Sequence, residues 1–88
     1  MSWQTIKKAL EDGYAEFTYI KENGDFRTAS GTRNREVLDH IREFTFAGKA
    51  PSDDVVCYWD FDREDWRCFL KKNAGACVVA LTAKQIIV

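Results

Sequence analysis

Four carboxylates lie within the twelve residues Tyr58–Phe69, YWDFDREDWRCF: Asp60, Asp62, Glu64 and Asp65, set among aromatic and arginine side chains. Carboxylates that converge in a cleft can move protons or hold a divalent cation. Asp-x-Asp spacing invites a calcium reading, but an EF-hand loop needs glycine at its sixth position and glutamate at its twelfth. Counted from Asp60, those positions are Asp65 and Lys71. Three of the four acids fall where a chain reversal is expected, so the preferred reading is a solvated turn.

Zinc sites use four nitrogen or sulfur ligands, commonly in two tight pairs. Here Cys57, Cys68 and Cys77 are eleven and nine residues apart, and His40 is the one histidine. Cysteine–histidine catalysis needs an accessible thiolate beside the imidazole, and nothing in the spacing provides it. Buried thiols on strands, and His40 on the wet side of a short helix, are the expectation. ENGDFRTASG has turn chemistry but lacks P-loop spacing. No catalytic residue, metal ligand or cofactor is assigned.

The arginines carry more. Arg27 lies on a strand with Arg33 and Arg35 just beyond it, and Arg67 lies on a second hairpin in register with Asp60. One reading is a surface Arg67–Asp60 pair worth less than ~1 kcal/mol. The other is an outward patch for a phosphate or an acidic partner, with Tyr58 and Phe69 on the same face as Arg67. Arginine with exposed aromatics suits protein hot spots and base stacking alike. The candidate partner-binding residues are therefore Arg27, Arg33, Arg35, Tyr58, Arg67 and Phe69.

The elements that must position these residues are legible from periodicity. Trp3, Ile6 and Leu10 share one helical face, with Ser2 as a cap and Gly13 as a stop. Asn23-Gly24 suits a two-residue type I′ turn. That loop sets Lys21 opposite Phe26, Tyr19 opposite Thr28 and Phe17 opposite Ser30, with Gly31 at a bend. Asn34 can cap a short helix carrying Val37, Ile41 and Phe44, and Gly48 and Pro51 lead out of it.

In the second hairpin, Val55, Cys57, Trp59 and Phe61 alternate with polar positions, and Trp66, Cys68 and Leu70 repeat the pattern. A four-residue loop, Asp62 to Asp65, sets Phe61 opposite Trp66, Trp59 opposite Cys68 and Cys57 opposite Leu70. All of these then share one face. After a turn at Gly75, either ACVVAL or a short strand at Ile86 to Val88, beyond a helical turn at TAKQ, closes the sheet.

The chain has 88 residues, is 45% hydrophobic and 14% aromatic, and carries net charge −1. This suits one compact domain, residues 1–88. Near-neutrality argues against both bulk electrostatic binding of nucleic acid and polyanionic mimicry. The start, MSWQTIKKALEDGY, lacks the apolar core of a secretory signal, and no apolar run is long enough to span a membrane. With an odd number of cysteines, the expected location is a reducing cytoplasm.

The leading helix, the hairpin FTYIKENGDFRTASGTRN and the stretch YWDFDREDWRCF together resemble the small Sm-like SH3 β-barrel proteins of the second WYL-type family, found in bacteriophages and mobile elements. Arg27, Thr28, Gly31 and Thr32 match its R-T-x-x-G-T strand end. Asp60, Trp66, Arg67 and Phe69 match its D-x-x-x-x-x-W-R-S-F pattern, with Cys68 where serine is usual. The connection from Arg35 to Asp54 and the tail after Phe69 are longer than the family pattern.

The resemblance implies a fold and no functional residues. The expectation is mainly β: an N-terminal helix, then a five-stranded antiparallel SH3/Sm-like barrel with a helical insertion between strands 2 and 3. The expected interior is Phe17, Tyr19, Phe26, Val55, Cys57, Trp59, Phe61, Trp66, Cys68 and Leu70, which fills a small barrel and leaves no active-site cavity. The functional expectation is a non-catalytic binding module of phage or mobile-element origin, in the bacterial host cytoplasm. It touches a protein through the outward arginine and aromatic surface. The alternative is an Sm-like nucleic-acid-binding regulator. Homo-oligomers through a strand edge at ACVVAL or IIV are a separate option.

Overall fold

A computed structural model describes residues 3–41, without the side chain of Ile41, and residues 52–87. Expectations for Ser2, Phe44, Gly48, Pro51 and Val88 lie outside the described residues. Helix α1 is Trp3–Asp12, followed by strands β1, Gly13–Ile20, and β2, Phe26–Thr32. Helix α2 is Arg35–Ile41, and β3, Val55–Asp60, and β4, Asp65–Leu70, form the second hairpin. One 3-10 turn, Lys71–Asn73, leads to β5, Ala74–Thr82, and to a short helix α3, Ala83–Ile86.

The strands form one antiparallel sheet in the order β4-β3-β2-β1-β5. ACVVAL therefore closes the sheet beside β1, and Ile86 ends a helical turn. Neighbouring strands lie about 4.8 Å apart, so β1 and β4 would be roughly 14 Å apart in a flat sheet. Yet the Phe17 ring on β1 sits 5.2 Å from Phe69 on β4 and 5.0 Å from Tyr58 on β3. The sheet is thus rolled into a barrel-like curve around these rings. Register shifts in the β1–β5 ladder at Phe17 add to the bend.

Helix α1 lays Ile6 and Leu10 on this core, both fully buried, with Trp3 packed at the margin. Its C-terminal carbonyls are capped by the segment after β2. The amide of Arg33 donates to the Leu10 carbonyl at 2.8 Å, the Asn34 side chain donates to Glu11 at 2.9 Å, and the Thr32 hydroxyl lies 3.5 Å from the Leu10 carbonyl and donates to Gly13 just past the helix. Asn34 also caps α2, accepting from the Val37 amide at 3.0 Å.

Two registers differ from expectation. The first hairpin pairs Ile20 with Phe26 and Tyr19 with Arg27, one residue away from the type I′ register. Its loop is Glu22-Asn23-Gly24, closed by the Lys21 amide on the Asp25 carbonyl and the Gly24 amide on the Lys21 carbonyl. Gly24 takes φ +91°, and Asn23 needs no positive φ because its side chain accepts from the Asp25 amide at 3.0 Å. This is a three-residue loop ending in a left-handed glycine. The shift turns Phe26 outward to 75% exposure, so it is not part of the core, and turns Arg27 inward.

The second hairpin keeps the expected facing set but reverses its direction. Its turn is Phe61 to Glu64, so Trp59 faces Trp66, Cys57 faces Cys68 and Val55 faces Leu70. The core instead takes Val56, Tyr58 and Phe69 from the alternate positions. Of the expected interior residues, Phe17 and Tyr19 join the core cluster. Trp59 is buried outside it, Val55, Cys57, Phe61, Trp66 and Leu70 are half-buried, and Cys68 is exposed. Both faces of this hairpin are apolar enough to be buried. What decides between them is the polar partner of the inward Arg27.

Candidate functional site

That partner is Asp60. Its side chain is fully buried, and Oδ2 accepts from Arg27 Nη2 at 2.9 Å, where the Arg27 side chain is 14% exposed. The Tyr58 hydroxyl donates to the same oxygen at 3.4 Å. Oδ1 accepts the backbone amides of Asp62 and Arg63 at 2.9 and 3.1 Å, which shapes the turn that follows. Asp60 is therefore not an outward acid paired with Arg67. It ties β2 to the β3–β4 turn, and its lone pairs are spent on structure. Burial, then the neighbouring Tyr19 and Asp60, push the Tyr58 phenol far above its ordinary 10.0, against a lowering pull from Arg27.

Asp62, Glu64 and Asp65 are exposed around the turn. Among the described residues no three His, Cys, Asp or Glu side chains are grouped to hold a metal ion. His40 is exposed in the last turn of α2.

The candidate binding residues do not form one surface. Tyr58 and Phe69 are 0% and 3% exposed and sit in the aromatic core, so they do not form the outward surface expected of them, although the edge of Phe69 lines a groove beside the first hairpin. The Arg27 charge is taken by Asp60. Arg33 reaches across to the Cys57 carbonyl, where β2 parts from β3, and the Nε atoms of both Arg27 and Arg33 are buried. Only Arg35, at the start of α2, and Arg67, opposite Tyr58 on β4, are exposed. Arg67 has no ion pair among the described residues.

Five of the eight motif residues, Arg27, Gly31, Thr32, Asp60 and Phe69, have structural roles, while Thr28 and Arg67 are exposed. Gly31 lies under Tyr58 and β3, where an added Cβ would come within 2.5 Å of the Tyr58 ring and the Trp59 carbonyl. Thr32 caps α1, Arg27 and Asp60 form the buried pair, and Phe69 fills the core.

What the surface does offer is apolar. Phe26 is 75% and Ile20 37% exposed, and they face one another at the tip of the first hairpin. Ile20, but not Phe26, lines a groove of about 460 Å³, walled also by Tyr19, Lys21, Val55, Cys68 and Leu70 among others. It runs between the first turn and the strand ends of the second hairpin. Sequence reasoning missed this feature because it assigned Phe26 inward. The signal was the second turn residue, Asn23, whose side chain can close a longer loop without left-handed backbone.

On the face away from the core, Trp59 and Trp66 meet edge to face at 5.9 Å. One pair further along, Cys57 and Cys68 are joined by a disulfide with their Cα atoms 4.1 Å apart. The expected buried thiols are corrected accordingly: Cys77 stays outside the disulfide, half-buried, its thiol donating to the Val79 carbonyl at 3.6 Å and pushed up by desolvation.

No curated protein and no solved structure matches this chain. The model of the WYL_2 family, described as an Sm-like SH3 beta-barrel fold, matches residues 3–73, from α1 through the 3-10 turn and short of β5. With that span, and with Arg27, Asp60, Gly31 and Thr32 placed as the structural joints of the rolled sheet, the chain belongs to the WYL_2 family of Sm-like SH3 β-barrels.

Proposed function

We propose that this domain is a non-catalytic binding module that takes an apolar segment of a protein partner in the groove lined by Ile20. The observation that carries the reading is an open, partly apolar groove lined by Ile20, 37% exposed, whose cross-strand partner Phe26 is left 75% exposed. Buried aromatics with partner pockets dominate binding energy at protein interfaces. The interior is filled by Phe17, Tyr58, Phe69, Ile6 and Leu10, which supports binding on the outside rather than chemistry within. Phage or mobile-element origin and action in the host cytoplasm complete the proposal, supported by the family resemblance.

A photo-crosslinker at position 26 tests it. The expected result is a defined protein adduct in host extract that is lost when Leu70→Asp spoils the groove. Equal crosslinking from exposed Lys84 would sink the reading.

The exposed Arg67 favours a second reading, a nucleic-acid contact. Its test is binding of labelled single- and double-stranded DNA and RNA at two salt concentrations. A salt-dependent signal lost in Arg67→Ala supports it, and no binding at low salt removes it. Arg27 and Arg33 are unsuitable probes, because their loss disturbs the fold. Association of copies along β5 is a further option, since Ala74–Thr82 carries no charge and leaves Val78 62% exposed at a sheet edge. Light scattering on the full chain and on Val78→Lys distinguishes a dimer from a monomer.

A further inference from the structure

We propose that Cys57 and Cys68 form a reversible thiol–disulfide site whose reductant is a dithiol, rather than a fixed staple. Three observations carry this. The two residues are directly opposite in the β3–β4 ladder with Cα atoms 4.1 Å apart, the closely spaced kind of antiparallel pair, so the backbone presents both sulfurs to each other in either redox state. Cys68 is exposed and lines the open groove, while Cys57 is half-buried. Accessible disulfides are the ones that exchange. Finally, the hairpin has other supports: six registered pairs, the buried Phe69 and Tyr58, and the Trp59–Trp66 contact. Opening the bond therefore leaves the fold in place.

The exposed sulfur sets the order of events. A thiolate of the dithiol attacks Sγ of Cys68, the Cys57–Cys68 bond breaks, and Cys57 leaves as a thiolate and takes up a proton. The second thiol of the reagent then attacks its own sulfur in the mixed disulfide. Cys68 is released as a thiol, and the reagent departs as a cyclic disulfide. Two electrons and two protons pass to the protein. Cys77, half-buried with its thiol pushed up by desolvation, has little thiolate with which to compete. In a reducing compartment the site rests as a dithiol, and oxidation bridges it at the groove wall. This chemistry stands whatever the groove binds.

The test uses the full chain, without denaturant, in mixtures of reduced and oxidised dithiothreitol. It is read by N-ethylmaleimide labelling with peptide mass mapping. The expected result is that Cys57 and Cys68 gain label together, along one curve reached from both directions. Tryptophan emission rises along that curve as the neighbouring quenching disulfide opens, and far-UV circular dichroism stays constant. Label that enters only after guanidinium unfolds the chain identifies a fixed staple and overturns the proposal. Full labelling in every mixture, showing that no bond forms, also overturns it.

Phenylarsine oxide, which bridges two thiols, supplies a second reading. The reduced chain should retain one equivalent and lose the ability to reoxidise. Retention should vanish in Cys68→Ser and persist in Cys77→Ser, and the reverse pattern overturns the assignment.

Discussion

Replacing Arg27 by alanine strands the Asp60 carboxylate in a site with no access to water. Breaking a buried pair by removing one partner costs about 3–5 kcal/mol, far more than a surface pair. The expected outcome for Arg27→Ala is a loss of that order in urea unfolding, against less than about 0.5 kcal/mol for the exposed Arg67→Ala. Arg27→Met with Asp60→Asn should recover most of it, because asparagine still accepts the turn amides while the uncompensated charge is gone. If Arg27→Ala and Arg67→Ala cost the same, the inward assignment of Arg27 is wrong.

Tyr58 adds a pH dependence of definite sign. Its phenol is held above the ordinary 10.0 by burial first and by Tyr19 and Asp60 next. As pH rises past that value the unfolded chain gives up the proton and the folded chain keeps it. The stability tied to this group is complete below that value and is lost through the alkaline range. The urea midpoint should fall between about pH 9 and 11, with a shallower fall in Tyr58→Phe. An identical slope in the variant would show that Tyr58 titrates as an exposed phenol.

At the scale of the element, the two hairpins show what periodicity can and cannot resolve. Helix α1, the cap at Asn34 and the existence of both hairpins followed from apolar spacing and turn residues, because those signals are local. Register did not follow, because it depends on one loop residue and on which of two apolar faces finds its polar complement. The one-residue change at Glu22-Asn23-Gly24 exchanges Phe26 for Arg27 on the core face, and Arg27 then requires Asp60, which brings Tyr58 and Phe69 inward.

Arg27, Tyr58 and Phe69 of the candidate surface thus lie on the inner side of the sheet. Only Arg35 and Arg67 of that set stay exposed. Two truncations measure this directly. Phe26→Ser should leave stability within about 0.5 kcal/mol, while Phe69→Ala should cost about 3–5 kcal/mol. The type I′ register predicts the opposite order, so urea unfolding of the two variants decides between them.

For the whole molecule, the question is how much of the fold depends on a covalent tie. A chain of 88 residues has a net stability of roughly 4–13 kcal/mol at the usual per-residue scale. The Cys57–Cys68 bond spans a sequence separation of 11. Chain-entropy reasoning gives such a loop about 3 kcal/mol of stabilisation, through the unfolded state alone. That is a sizeable share of the total, yet smaller than what the rolled sheet supplies through Phe17, Tyr19, Tyr58 and Phe69, whose rings meet within 5.0 to 6.1 Å of one another.

The oxidised chain should therefore unfold at higher urea than the reduced chain by up to about 3 kcal/mol, with a smaller m-value because its unfolded state is more compact. The reduced chain should still show one cooperative transition. If reduction abolishes that transition, the core cannot hold the second hairpin without the bond. If reduction leaves both the midpoint and the m-value unchanged, the bond is absent from the folded protein in solution. A stabilisation near that size, with cooperativity intact, is what lets the same hairpin exist in two redox states on one fold.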